Sequence, residues 1–407
     1  MPSDTSSPIS LSRRELLAAT ATASAVAAAG CAGTESVPDD QRWSQFGFDT
    51  ANTAHNPDAE GPAEEPTVAW VRVGGSYYRN STQPLVGDAV YANAWHDGVF
   101  ALDPADGSVR WHDGDADNTQ LTPALAEGTL AFPTRDGFRG VAADGGLRAF
   151  GRAVGYGRWR TDLDYPQSPP SVADGLLVAG IGANHSADGG RVAAVDAADG
   201  TVRWEFPVET SVWGAPAVAD GVVYAAARDD DQRDAETQGT VHAIDLADGT
   251  EVWSRPLGES PRFNPVGAPV VGDGLVYVPT GTGPLVALGA ESGEEVWRAD
   301  PPEGVQASPA LAGGVLYAGC LDGTLRALDA ATGEVEWTGE AQTYYGGPTV
   351  GERGVYAVGS GGEVVSWTRD GRERWRVAID PPVSGSPVPA EGRLFVGTGD
   401  GLLYALE

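Results

Sequence analysis

Short apolar runs, separated by turns rich in glycine and aspartate, follow one another from residue 67 to the end of the chain. "ALAGGVLYAG" (310–319) shows the form, two apolar stretches meeting across Gly313 and Gly314. "LRALDAATGEVEW" (325–337) continues it: an apolar strand, a turn carrying Asp329 and Gly333, and a strand ending on Trp337. Short runs bounded by turn residues predict strands joined by tight turns. No stretch after residue 30 carries the 3.6-residue period of a long helix.

The pattern repeats, and the repeat defines the architecture. Ala-x-Asp-x-x-x-Gly-x-x-x-Trp runs from Ala101 to Trp111, Ala194 to Trp204, Ala243 to Trp253 and Ala327 to Trp337. Ala287 to Trp297 follows it with Gly289 in the aspartate position. Two degenerate copies, "VAADGGLRAF" and "SWTRDGRERW", end on Phe150 and Trp375. A second signature precedes each copy: Pro84, Pro123, Pro169, Pro216, Pro269, Pro309, Pro348 and Pro387 each open an apolar run, a glycine turn and another apolar run. Each unit therefore predicts four strands, A to D. "TVAWVRV" (67–73) reads as a D strand alone, with Trp70 in the tryptophan position. "GLLYALE" (401–407) reads as a C strand with no D after it. Pairing the two would close a ring without a free sheet edge. The expectation is an all-β, eight-bladed propeller over residues 43–407. Its blades would dock through Trp70, Trp111, Phe150, Trp204, Trp253, Trp297, Trp337 and Trp375, because a wide, flat aromatic buries a large area between two sheets.

These repeats resemble the PQQ-like (pyrroloquinoline quinone) propeller family over nearly all of residues 43–407. "WSQFGFDTANTAHNP" (43–57) resembles the lead-in that precedes the first blade in that family. The resemblance implies that the repeated tryptophan packs on the alanine-bearing strand and on the glycine turn of a neighbouring blade. The family includes quinoprotein alcohol dehydrogenases, the lipoprotein subunit of the bacterial outer-membrane β-barrel assembly machinery, and exported haloarchaeal propellers of unassigned role. Every residue of the motif has a structural part to play, so the motif by itself implies no cofactor.

Residues 1–31 read as an export signal rather than as part of the fold. Arg13 and Arg14 precede the apolar run "LLAATATASAVAAAG", which is too short and alanine-rich to be a good membrane span. The run ends on Gly30-Cys31, so the segment resembles a twin-arginine signal with a lipobox and Cys31 as the lipidated residue. Ala28 stands where leucine is usual. Residues 32–42 then read as a disordered tether. Composition adds a habitat. Asp and Glu total 57 against 26 basic residues, all arginine, for a net charge of −31. Such a surface repels phosphate and argues against nucleic acid or anionic lipid as a partner of the folded surface. It resembles the proteins of salt-in halophiles, where carboxylates maintain solubility. The expected location is the outer face of the cytoplasmic membrane, held by the lipid on Cys31. An archaeal host would lack an outer membrane, so the bacterial assembly role is not carried over.

Chemistry is sparse. A quinoprotein dehydrogenase, as the resemblance describes it, needs calcium, an aspartate base and commonly a vicinal disulfide. Cys31 and Cys320 are the only cysteines, and Cys320 reads as a buried strand residue. Asp113, Asp115 and Asp117 alternate like the start of a calcium loop, but Asn118 replaces the glycine and Ala124 the bidentate glutamate. His55, His96, His112, His185 and His242 show no metal-ligand spacing, and no nucleophile elbow or phosphate loop is present. No cofactor is expected, and PQQ with calcium enters only under the dehydrogenase alternative.

Loop length supplies the remaining clue. The A–B and C–D turns read as short and uniform, with inserted length in 151–168, 181–190 and 227–239, in D–A and B–C connections. Those connections share one face of a propeller, and loops on a rigid scaffold are where binding residues gather. The candidate face holds Tyr77, Tyr78, Arg79, Asn80, Tyr156, Arg158, Trp159, Arg160, Tyr165, Trp213, Arg262, Phe263, Asn264, Tyr344 and Tyr345. Tyrosine, tryptophan and arginine are typical interface anchors. The sequence thus points to a non-catalytic, lipid-anchored scaffold that binds protein at the cell surface. Two alternatives stand beside it: a quinone-dependent dehydrogenase, and a receptor holding a small ligand in the central funnel.

Overall fold

The computed structural model describes residues 38–73, 83–94, 98–114, 121–149, 152–154, 156–182, 189–209, 211–228, 239–258, 267–341, 346–359, 361–380, 385–399 and 401–407. Eight antiparallel sheets are arranged in a ring. The sixth blade is representative: strands Ala310–Ala312, Val315–Gly319, Thr324–Asp329 and Val335–Glu340 lie in that order from the axis outward. The prolines stand just before the inner strands, where a missing N–H costs no ladder hydrogen bond. Pro309 precedes Ala310–Ala312 and Pro387 precedes Val388–Ala390, for example. The last blade closes the ring, since Val68–Val73 pairs antiparallel with Leu402–Leu406. Among the described residues no helix is long and apolar enough to cross a membrane.

Strand register explains the repeat. Ala101, Ala194, Ala243, Ala287 and Ala327 lie directly across from Trp111, Trp204, Trp253, Trp297 and Trp337. Ser366 faces Trp375, and Ala405 faces Trp70. A small residue is needed there because the indole leans over it toward the next blade. Each D strand then bulges by one residue, which turns the tryptophan out of its own sheet plane. Its Nε1–H donates to a backbone carbonyl in the neighbour's C–D turn, from Trp70 to Pro104 at 3.0 Å and from Trp204 to Leu246 at 2.8 Å. The turn glycine lies under the ring. At Gly333 a Cβ would stand 2.6 Å from the Trp297 ring, and φ is +74°, so both the approach and the backbone exclude other residues. The turn aspartates fix the loops: Asp329 Oδ1 accepts from the amides of Ala331 and Thr332 at 3.0 and 2.8 Å. The apolar clusters accordingly run between blades, as where Trp204 packs with Val223, Ala225 and Ile244. Burying one such indole contributes about 2–3 kcal/mol.

The second blade departs from the sequence reading. Its D strand is Gly157–Arg160, paired with Gly137–Ala142, and a hairpin of Leu147–Ala149 with Arg152–Val154 is inserted between them. The extra length of this blade therefore begins in the C–D connection, on the face where turns were expected to be uniform. Phe150 lies outside the described residues, and the docking position is filled by Trp159. Trp159 sits across from Gly140 and donates to the Ala197 carbonyl at 2.9 Å, with Gly200 beneath its ring. The misassignment has a physical cause, because an inserted hairpin breaks the spacing between the small residue and its aromatic partner.

Candidate functional site

The lead-in recognised at 43–57 lines the axis. Seven of the eight inner strands turn a backbone N–H toward the centre, and the lead-in meets these groups blade by blade. Trp43 O accepts from Val86, Ser44 O from Leu125 and Gln45 Oε1 from Val172, at 3.0, 2.7 and 2.6 Å. Thr50 O, Ala51 O, Thr53 O and Ala54 O accept from Val218, Val271, Leu311 and Val350, at 2.6–2.9 Å. The eighth inner strand carries Pro389 at this position and has no N–H to offer. There the direction reverses, and Trp43 Nε1 donates to the Pro389 carbonyl at 2.9 Å. Trp43, Asn52 and Asn56 are fully or almost fully buried. Asn52 Nδ2 also donates to Ala215 O and Pro269 O at 2.9 and 3.2 Å. Burial raises the Asp49 carboxyl above the ordinary aspartate range, although Thr53 donates to it through both its amide and its hydroxyl.

The lead-in also completes the docking scheme. The closing blade has no C–D turn, because the chain's D and C strands there are its first and last. Trp375 of the seventh blade donates instead to Pro62 O at 3.4 Å, in the segment leaving the axis. That segment is pinned by Gly392 N–H to Glu60 O at 2.9 Å and by the Arg353–Glu60 ion pair at 2.8 Å.

Of the candidate binding residues, Tyr77, Tyr78, Arg79, Asn80, Arg262, Phe263, Asn264, Tyr344 and Tyr345 lie outside the described residues. Three others are not on the loop face. Trp159 is buried between blades. Tyr156 packs edge-on against Trp111 at 5.6 Å, and Arg158 donates to Thr129 Oγ1 at 2.6 Å on the A–B turn side. Arg160 ends the same D strand, paired with Arg139 toward its loop-face end. The cause is the misplaced insertion: a run read as a D–A loop is the D strand itself. Tyr165 is half-buried in the D–A connection, where its carbonyl accepts from Gly182 at 2.9 Å. Trp213 does lie at the loop end of the fourth blade. It is 42% exposed, just beyond the pairing of Ser211–Val212 with Ala227 and Arg228. The Arg228 guanidinium stacks over its ring at 4.4 Å.

Asp113 is buried and pairs with Arg139 at 2.9 Å, while Asp115 and Asp117 lie outside the described residues. A buried carboxylate already engaged by arginine is poorly placed to start a calcium loop. His112 stacks on Phe100, His242 faces Glu251 at 3.5 Å, and His55 contacts Arg369 at 3.3 Å, so these three are dispersed. Burial pushes the Cys320 thiol up to about 11, which makes it unreactive. Among the described residues no three His, Cys, Asp or Glu side chains gather as a metal would require. Arg13, Arg14 and Cys31 lie outside the described residues.

Comparison with known proteins places the chain. The family described as outer membrane protein assembly factor BamB matches residues 143–236, 237–345 and 343–407, more than half of the chain. BamB of Yersinia pestis is 30% identical over 159 residues, which are 35% of this chain and 37% of that protein. The chain thus spans little more than a third of that relative's length. Among solved structures, BamB of Moraxella catarrhalis has a TM-score of 0.63 at 18% identity, covering 83% of this chain and 99% of that one. Quinohemoprotein alcohol dehydrogenase ADHIIG of Pseudomonas putida HK5 has a TM-score of 0.74 at 13% identity, covering 98% and 82%. At such identities the two structures share the fold, and nothing finer follows from them. With the repeats, the register and the family match in agreement, the chain belongs to the BamB family of PQQ-like eight-bladed propellers.

Proposed function

We propose that the protein is an exported, lipid-anchored and non-catalytic propeller that holds a protein partner on its loop face. Trp213 is the observation that carries this reading. A large aromatic left 42% exposed and stacked under an arginine is an ordered anchor of the kind interfaces use. The relatives named as assembly factors support a binding role in general terms, without supplying the partner. The anchor is the lipid on Cys31, delivered by the signal around Arg13 and Arg14, at the outer face of the cytoplasmic membrane of a halophile. The −31 charge supports the saline habitat.

The test is purification from native membranes in high salt, comparing the wild type with Trp213→Ala. The reading expects one polypeptide to co-purify with the wild type and to be lost from the variant, while the melting temperature is unchanged. Equal recovery with both proteins would sink it. Cys31→Ser should release the protein from the membrane fraction, and Arg13→Lys with Arg14→Lys should leave the precursor inside the cell.

One observation favours a second reading, a small ligand at the floor of the funnel. Asn52 Oδ1 and Gln83 Nε2 are buried without a hydrogen-bond partner among the described residues. Both side chains adjoin Gly47, whose amide donates to Gln83 Oε1 at 3.3 Å. An amide-bearing ligand would satisfy both atoms, and so would a single water. Screening for ligand-induced thermal stabilisation that Gln83→Leu removes would separate the two.

A further inference from the structure

The lead-in fixes not only the axis but also the point from which the chain departs toward its anchor. Residues 38–42 lie against A–B turns. Gln41 Oε1 accepts from the Glu391 amide at 2.6 Å in the A–B turn of the eighth blade. Arg42 pairs with Asp88 in the A–B turn of the first blade and with Asp39 at 2.9 Å. Asn56 Nδ2, at the other end of the lead-in, donates to Asp40 O at 3.0 Å. The short helical turn Asp39–Gln41 is thus held near the axis, on the face made of A–B and C–D turns. Trp213 sits at the opposite end of the strands.

We infer that the protein stands on the membrane with its turn face inward and its loop face outward. The inference rests on lipidation of Cys31 and adds to it the direction in which the propeller points. From Cys31 to Pro38 there are seven Cα steps, which at full extension reach ~25 Å. The turn face therefore cannot leave the neighbourhood of the bilayer. The strands separate the two faces by a comparable distance: the six Cα steps of Gly190–Asp196 span ~20 Å. The tether, and not surface charge, sets this orientation. Glu127, Asp174, Asp220, Asp273 and Glu391 occupy A–B turns, all with positive φ. An anionic bilayer repels this surface. The attachment lies near the axis rather than at the rim, so the tether applies little torque that would tip a blade edge into the lipid. The consequence for binding is directional: a partner reaches Trp213 from the aqueous side.

Resonance energy transfer to acceptor-labelled lipid tests the orientation. A donor is attached through an azide-bearing amino acid replacing either Ala198, exposed in the C–D turn of the third blade, or Trp213. Two preparations are compared on phosphatidylglycerol vesicles. One is the chain acylated in its own cell. The other is residues 31–407 coupled at Cys31 to a maleimide phospholipid, which tests the geometry whether or not the cell acylates the protein. Transfer from position 198 is expected to exceed that from position 213 severalfold in the coupled preparation. Equal transfer, or the reverse order, overturns the inference. If the cell-derived chain carries no lipid by mass spectrometry, the lipoprotein reading fails separately, and the orientation holds only for an anchored chain.

Discussion

Trp159 and Phe150 offer a sharp test of the docking scheme, because sequence spacing favours one and the structure the other. Trp159 is 8% exposed, lies across from Gly140, covers Gly200 and donates to the Ala197 carbonyl. Trp159→Ala removes a buried indole and its hydrogen bond, and should cost about 3–5 kcal/mol. Phe150→Ala should cost a fraction of that. The glycine beneath the ring gives an independent reading. Gly200 has φ +78°, and a Cβ there would stand 2.7 Å from the indole. Gly221, in an A–B turn, has nearly the same φ of +76° but nothing within 4 Å. Gly221→Ala should therefore carry only the backbone penalty, about 1–2 kcal/mol. Gly200→Ala should carry that and a further ~1–3 kcal/mol of overpacking against Trp159. Guanidinium unfolding in molar potassium chloride, with a slope common to all four variants, yields the differences. A Phe150→Ala cost above that of Trp159→Ala, or equal costs for the two glycine changes, would refute the assignment.

Trp43→Phe should cost about 1 kcal/mol for the lost bond to Pro389, and Trp43→Ala ~3–5 kcal/mol, both read as unfolding midpoints. Asp113→Asn leaves Arg139 as a buried unpaired charge, and should cost ~3–5 kcal/mol with no response to calcium or chelator. The pH dependence of stability should carry a histidine signature. Burial, aided by the Arg369 charge, lowers the His55 pKa from 6.5 to about 4, so between those values the unfolded chain takes up a proton that the folded chain refuses. Stability from this group is intact above pH 6.5 and is lost as pH falls toward 4; His55→Gln should flatten that part of the profile in thermal scans.

What the sequence disclosed follows from how local its causes are. The proline, the turn aspartate and glycine, and the small residue opposite tryptophan all act within one blade or across one blade boundary, and so recur with a fixed spacing. Even ring closure was legible, since a D strand without a C and a C strand without a D leave one pairing. The second blade escaped because a hairpin entered the C–D connection and moved the tryptophan beyond the expected interval. The small residue opposite it was still visible as Gly140 in "GFRGVA", and would have pointed downstream to Trp159. Tyr156 and Arg158 then followed the error to the wrong face.

The lead-in escaped for a deeper reason. Its contacts are made once each, to eight blades in turn, so they leave no period to detect. What they do leave is a coincidence between distant positions. Seven inner strands present a central N–H that needs an acceptor, and the eighth presents Pro389, which needs none. An inner strand edge facing an open channel would depend on water for those groups. Here residues 43–54 supply the acceptors, and the one blade without a donor receives a donor from Trp43. A closed ring and its axial filling are thus a single hydrogen-bonded unit, which the chain enters at the turn face. The loop face is left as the side on which length and side chains can vary without cost to the fold, which is where a binding function has room to reside.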